Sequence, residues 1–224
     1  ILSTKLNHVS FIMDGNNRWS KKKKFNLYKG YTSGVNKLIK ITTHIFKNYD
    51  VKYISAFALS KNNLNRSSRI VSTIKNVLLD FLNKYEENYN LNFKIKFIGD
   101  LNFLNKKIRD KIEIIENINL SSKNNLIILI NYSGQNDIIN SFSNLNKLKK
   151  INENTLSKKL YTKDLPDPDL LIRTGGFQRL SNFMLYQLAF TELFFTKKLW
   201  PDLSYTDIDR FIKKFYRIDR KFGL

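Results

Sequence analysis

Five short apolar runs, at residues 9–13, 53–59, 93–98, 126–130 and 170–172, punctuate this chain, and stretches of helical period separate them. A sixth candidate run lies at 193–195. The runs have strand length and are apolar almost throughout, so both faces of each strand must be covered. The clearest intervening helix carries Ile70, Ile74, Val77, Leu78, Phe81, Leu82 and Tyr85 on one face. Other helical periods cover 34–47, 101–117, 136–142 and 206–216. This alternation predicts an α/β fold: a single domain over 1–224 with a mostly parallel sheet and surrounding helices. The polar stretch 143–159 reads as a surface loop or a weak surface helix. Ligands of such sheets gather at the carboxyl ends of the strands. Polar residues directly after each run are therefore the first candidates for function.

Composition narrows the classes. An apolar fraction of 42% excludes a disordered chain. The absence of cysteine excludes a disulfide framework and a cysteine zinc site. Only His8 and His44 are present, which argues against a multi-histidine metal site. No apolar run approaches the roughly 18 residues of a membrane span. The net charge of +20, from 39 Lys+Arg against 19 Asp+Glu, invites a nucleic-acid reading. Lys, Asn, Ile, Phe and Tyr are all abundant, however, and AT-rich codons encode all five. Base composition thus accounts for much of the charge without a polyanionic partner, and no nucleic-acid partner is expected. Because the sequence begins at Ile1 rather than Met, a trimmed N-terminus is expected, and organellar targeting stays open.

The run at 9–13 is followed by Asp14, Gly15, Asn16, Asn17, Arg18 and Trp19. Gly15 permits a tight turn, Asp14 offers a carboxylate and Arg18 a five-donor fork. The same residues also suit an ordinary strand-to-helix turn with Asp14 as a cap. The second run is followed by Ser60, Asn63 and Arg66 in a polar loop, which fits either an anion site or a solvated cap. Beyond 170–172 stand Arg173, Thr174, Gly175 and Gly176, then Arg179 and Ser181. Two arginines flanking a double glycine match phosphate oxygens, since glycine lets backbone N–H groups approach a ligand. Asp164, Asp167 and Asp169 lie among two prolines, which favours a rigid turn over a metal motif. Glu192 enters the last apolar run and needs a partner there, either a metal or an arginine.

Taken together these segments resemble the cis-prenyltransferases, the family of undecaprenyl and dehydrodolichyl diphosphate synthases. The carriers are the stretch 8–19, Gly30 with Gly34, and the stretches 63–66, 98–100, 131–134, 169–176, 179–183 and 199–202. The resemblance implies a six-stranded sheet, an apolar tunnel beside it, and a homodimer. It implies elongation of an allylic diphosphate, such as farnesyl diphosphate, by isopentenyl diphosphate in successive cis condensations with Mg²⁺. By resemblance Asp14 is the essential acid and contacts the metal. Gly15, Asn16, Arg18 and Trp19 line the allylic site. Ser60, Asn63 and Arg66 form a second catalytic loop. Arg173, Arg179 and Ser181 hold isopentenyl diphosphate, and Glu192 is associated with the metal. The helix bearing Ile70, Ile74, Val77, Leu78 and Phe81, with Val35 and Leu38, is the natural wall for the growing chain. A long apolar product leaves best into a membrane, so peripheral contact with an internal membrane such as the endoplasmic reticulum, or a cytoplasmic location, is expected.

Several positions depart from the family pattern. Asn17 replaces a glycine; Leu27 and Tyr31 replace an arginine and a histidine near the allylic diphosphate; Phe177 stands where glutamate is usual and Gln178 where bacterial relatives often have histidine. These departures keep a second reading in view, a non-catalytic partner subunit of a heteromeric prenyltransferase. Such subunits typically lose the first-loop aspartate and the arginine cluster, and both persist here.

Overall fold

A computed structural model describes residues 5–65, 68–87, 91–143 and 152–221. β1 (His8–Ile12) leads through α1 (Asn16–Lys22) and α2 (Leu27–Asn48) to β2 (Tyr53–Ser60). A 3-10 turn at Lys61–Asn65 and α3 (Ser68–Glu87) lead to β3 (Lys94–Ile98), and α4 (Lys106–Glu116) leads to β4 (Asn125–Tyr132). After α5 (Gly134–Ser143) and α6 (Glu153–Ser157) come β5 (Leu170–Arg173), β6 (Glu192–Phe195) and α7 (Tyr205–Phe215). The strands form one six-stranded sheet in the order β3-β4-β2-β1-β5-β6. Every adjacent pair is parallel, so the sheet is wholly parallel.

Burial explains the strand pattern. Val9 and Phe11 of β1, Ile54 and Ala56 of β2, Leu126 and Leu129 of β4 and residues 170–172 of β5 are buried completely or almost so. Apart from Ala56, each such side chain contributes roughly 1.5–3 kcal/mol of burial. The edge strand β3 alternates instead, with Lys94 and Lys96 less covered than Ile95 and Phe97. Two expected helices differ. α2 begins at Leu27, not at 34, because the Asn26 side chain caps it by accepting from the Lys29 N–H at 2.8 Å. The period over 101–117 is broken, since Asn105 caps α4 in the same way at Ile108. In the polar stretch 143–159, α6 is a short helix, and residues 144–151 lie outside the described residues.

The topology fixes where a ligand can sit. From β1 the chain moves to β2 on one side; after β4 it crosses to β5 on the other. The strand order therefore reverses at β1, and the crevice opens between the carboxyl ends of β1 and β5. Buried polar ties fix the other end of the sheet. His8 Nδ1 lies 2.7 Å from the Pro166 carbonyl, which can only accept, so Nδ1 carries the proton. His8 Nε2 then accepts from the Ser55 hydroxyl at 2.7 Å. Asp169 accepts from the Asn7 and His8 N–H groups and pairs with Arg220 at 2.9 Å. The aspartate–proline segment is thus a structural brace. Among the described residues no group of three His, Asp or Glu could hold a metal ion.

Candidate active site

Asp14 follows β1 directly, and its backbone is held from two sides. Its carbonyl accepts from the Thr174 hydroxyl at 2.8 Å and from the Trp200 N–H at 3.0 Å. Gly15 has φ 112, and a side chain there would also meet Leu199 at 2.8 Å, so only glycine serves this turn. The two Asp14 oxygens receive different guanidinium groups. Arg18 donates to Oδ1 and Arg173 to Oδ2, each at 3.1 Å.

Arg173 ends β5 and is almost wholly buried. Burial lowers its pKa, and the Asp14 carboxylate opposes that shift. Its Nη1 donates to Ser181 Oγ at 2.7 Å and to the Arg179 carbonyl. Its Nε is buried with no protein acceptor among the described residues, a donor left for another group. The loop that meets it is strained, with Ser181 at φ 51 and Asn182 at φ 66. Asn182 holds that conformation from the side. Its Nδ2 donates to Ser133 Oγ at 2.8 Å, and its Oδ1 accepts from the Gln135 N–H at 2.9 Å.

These groups line one cavity of about 580 Å³. Asp14, Gly15, Asn16, Arg18, Ser60, Asn63, Arg173, Arg179 and Ser181 all face it, as expected from the sequence. Arg66 lies outside the described residues. Two expected members are elsewhere. Trp19 is not among the lining residues: its indole N–H donates to Asp202 at 2.7 Å, tying α1 to the segment before α7. Glu192 sits at the opposite end of the sheet. Phe195 pairs with Arg173, and Arg173 with Ile12, so Glu192 is five residues behind Asp14 in register. At 3.3 Å per residue that is about 16 Å along the strands. Glu192 approaches Arg220 instead, at 3.7 Å. One ion cannot join Glu192 and Asp14 within one chain.

Two contributors were not among the expected site residues. Phe177 stacks on the arginines, and Asn182 braces their loop. An irregularity in the β2–β4 register at Leu59 leaves Ala58 facing the cavity. A second, apolar cavity of about 80 Å³ adjoins the first and shares Met13, Asn16, Tyr31, Ala58, Leu59 and Ile74 with it. Val35, Leu38, Val77, Leu78 and Phe81 line it, from α2 and α3.

A wholly parallel sheet with an acid and three arginines at its switch point defines an anion-handling α/β enzyme. The particular family follows from comparison. Residues 12–223 match the prenyltransferase family model described as undecaprenyl diphosphate synthase. An isoprenyl transferase of Helicobacter pylori is 37% identical, with 97% of each chain covered. One from Rickettsia typhi is 35% identical, covering 98% of this chain and 99% of its own. Among solved structures, lavandulyl diphosphate synthase from Lavandula x intermedia, in complex with dimethylallyl diphosphate, superimposes with a TM-score of 0.91 at 31% identity, with 99% of each chain covered. A probable undecaprenyl diphosphate synthase from Campylobacter jejuni gives 0.79 at 29% identity, covering 98% of this chain and 99% of its own. The chain belongs to this prenyltransferase family, and its activity is that of the family, the cis elongation of prenyl chains.

Proposed function

We propose that the chain elongates an allylic diphosphate such as farnesyl diphosphate with isopentenyl diphosphate, using Mg²⁺, in the cavity beyond β1 and β5. The observation that carries this is the convergence of Asp14, Arg18, Arg173, Arg179 and Ser181 on one cavity that continues into an apolar one.

Asp14, Gly15, Asn16 and Arg18 take the allylic diphosphate. Arg173, Arg179 and Ser181 take the diphosphate of isopentenyl diphosphate. Ser60 ends β2 and Asn63 lies in the 3-10 turn that follows, and both line the same cavity. Cleavage of the allylic C–O bond leaves its electron pair on the departing diphosphate, where guanidinium donors stabilise it. The alkene electrons of isopentenyl diphosphate form the new C–C bond. The proton released passes to a diphosphate oxygen or water oriented by Asn63, since an amide is a poor base. The donor set fits Mg²⁺ in one way. Among the described residues Asp14 is the one carboxylate lining the cavity, and Mg²⁺ is commonly held by one or two carboxylates, waters and substrate phosphates. When bound it would neutralise charge on the leaving diphosphate.

The apolar cavity between α2 and α3 receives the growing chain. Product leaves into a membrane, and the exposed lysines at 21–24 with Phe25, which follow the cavity-lining Arg18 in sequence, favour peripheral contact. Among the described residues no helix is long and apolar enough to cross a membrane. A homodimer is favoured by edge strand β6, where Leu193 and the nearby Phe190 are exposed.

A second reading concerns the first substrate. The likeness to a structure solved with dimethylallyl diphosphate favours a short allylic partner. Incubation with labelled isopentenyl diphosphate, Mg²⁺, and either farnesyl or dimethylallyl diphosphate, followed by product sizing, separates the two. No incorporation with either overturns the proposed reaction.

A further inference from the structure

Three guanidinium groups surround one phenyl ring in the cavity. The Cζ atoms of Arg179, Arg18 and Arg173 lie 4.3, 5.2 and 5.8 Å from the Phe177 ring centroid. All three distances are within the range in which a cation is attracted to an aromatic face. The need for such a partner follows from the charges present. Among the described residues Asp14 is the sole carboxylate lining the cavity, and its two oxygens are taken by Arg18 and Arg173. Arg179 has no ion pair among the described residues. Three like charges would spread apart in a half-open cavity unless something else held them.

The ring is well anchored for that purpose. It follows Gly175 and Gly176, at φ 85 and 86, which turn the chain back over the site. The Gly175 N–H donates to the Lys198 carbonyl at 2.7 Å and the Gly176 N–H to the Thr196 carbonyl at 2.9 Å, fixing this turn to the segment beyond β6. A side chain on Gly175 would come within 2.5 Å of the Arg18 guanidinium. Arg18 is therefore packed between the Gly175 backbone and Phe177. The ring itself is 43% exposed, so it is not there to fill the core.

We infer that Phe177 is a positioning residue. Its π face preorganises Arg173 and Arg179, which take the diphosphate of isopentenyl diphosphate, and holds Arg18 of the adjoining allylic site against them, replacing a second carboxylate. This rests on the assignment of the cavity as a diphosphate site. The advantage over a carboxylate is chemical. A carboxylate would neutralise one arginine and compete with the incoming phosphate oxygens, whereas the ring holds the cations and leaves their N–H donors for the ligand. Ordering the receptor in advance lowers the cost of ordering it on binding.

The test is isothermal titration of isopentenyl diphosphate and of inorganic pyrophosphate into wild type, Phe177→Leu and Phe177→Tyr, with steady-state kinetics on the same proteins. Leucine keeps apolar volume without the π face; tyrosine keeps both. Phe177→Leu is expected to weaken both ligands about five- to tenfold, the loss of partly exposed cation–π contacts. Its KM for isopentenyl diphosphate should rise by the same factor, with kcat within about twofold and Tm unchanged. Phe177→Tyr should restore wild-type affinity. Undiminished binding by Phe177→Leu overturns the inference and leaves the diphosphate site standing. A drop in kcat at constant KM also overturns it, since the ring would then act on the reacting atoms. A wild type that binds neither ligand removes the diphosphate assignment itself, and the inference with it.

Discussion

Asp14 pairs with two arginines at once, and that double role sets what its removal should do. Asp14→Asn keeps the shape but withdraws the charge that Arg18 and the buried Arg173 face. Turnover should fall by about a hundredfold or more, the scale of losing a preorganised electrostatic group. Cooperative unfolding should survive. Near-normal turnover in a steady-state assay would remove Asp14 from the chemistry. Arg173 permits a sharper experiment. Its fork serves Asp14, Ser181 and the Arg179 carbonyl, a geometry the single ammonium of lysine cannot copy. Arg173→Lys should raise KM for isopentenyl diphosphate about ten- to a hundredfold, the value of one charge-assisted hydrogen bond. A larger rise for the allylic substrate would exchange the two subsites. Both residues were legible in the sequence because each follows an apolar run directly. The distance of Glu192 from Asp14 of its own chain was not legible, because only strand register shows that it lies at the far end of the sheet. Phe177 stood out only as a departure from the family's glutamate; its role gave no signal, since sharing of one ring by three arginines is set by a turn in space.

At the scale of elements, helices are placed by what they pack against as much as by their own period. Gly34 lies in α2, where glycine costs about 1 kcal/mol relative to alanine. The reason it is there is α1: a side chain at Gly34 would sit 2.4 Å from Asn16 Oδ1. Gly34→Ala should therefore destabilise the protein by about 1–2 kcal/mol despite its better helix propensity. It should also raise KM for the allylic substrate, because Asn16 lines the cavity. A higher denaturation midpoint would show that α1 yields easily. This packing also explains why the period alone started α2 too late: the glycines that look like a boundary are a contact surface. β1 carries a different signature. Burial pushes the His8 pKa down to about 4 from 6.5. Between those values the unfolded chain binds a proton that the folded chain refuses. The contribution is therefore complete above pH 6.5 and lost as pH falls towards 4, about 3 kcal/mol in all. Asp137 and Glu116 are raised by burial and titrate with the opposite sign, so the comparison is with a variant. The stability of His8→Gln, followed by urea unfolding, should decline less than wild type between pH 6.5 and 4. Parallel profiles would mean that His8 is not the sensor.

For the whole molecule the question is how an apolar product leaves a cavity that faces water. Each five-carbon unit buries about 4 kcal/mol of hydrocarbon, at about 0.8 kcal/mol per carbon, so each unit slows release into water by roughly a thousandfold. The segment that joins α1 to α2 offers a surface for membrane contact. Lys21, Lys22, Lys23 and Lys24 are all exposed, Lys29 follows, and Phe25 and Tyr28 are 47% and 41% exposed. Asp80 offsets part of this charge through its hydrogen bond with Tyr28. Arg18 and Tyr31, on either side of the segment in sequence, both line the cavity. A lysine near an anionic membrane contributes about 1 kcal/mol, so this cluster would bring the cavity mouth to the lipid. The +20 of the sequence therefore has two parts: arginines that line the cavity, and lysines that no single motif explains but whose densest group lies in sequence between the cavity-lining Arg18 and Tyr31. Steady-state turnover with farnesyl diphosphate should rise about tenfold or more when vesicles are added, while the first turnover stays unchanged, because only release is accelerated. Vesicles containing phosphatidylglycerol should act at lower lipid concentration than neutral ones. That difference should vanish in 0.5 M salt, where Debye screening shrinks to about 4–5 Å, and in a variant with the four lysines changed to glutamine. Acceleration of the first turnover would move the effect from release to chemistry. Equal action of neutral and anionic vesicles would strip the lysines of this role and leave the apolar exit to the aromatics alone.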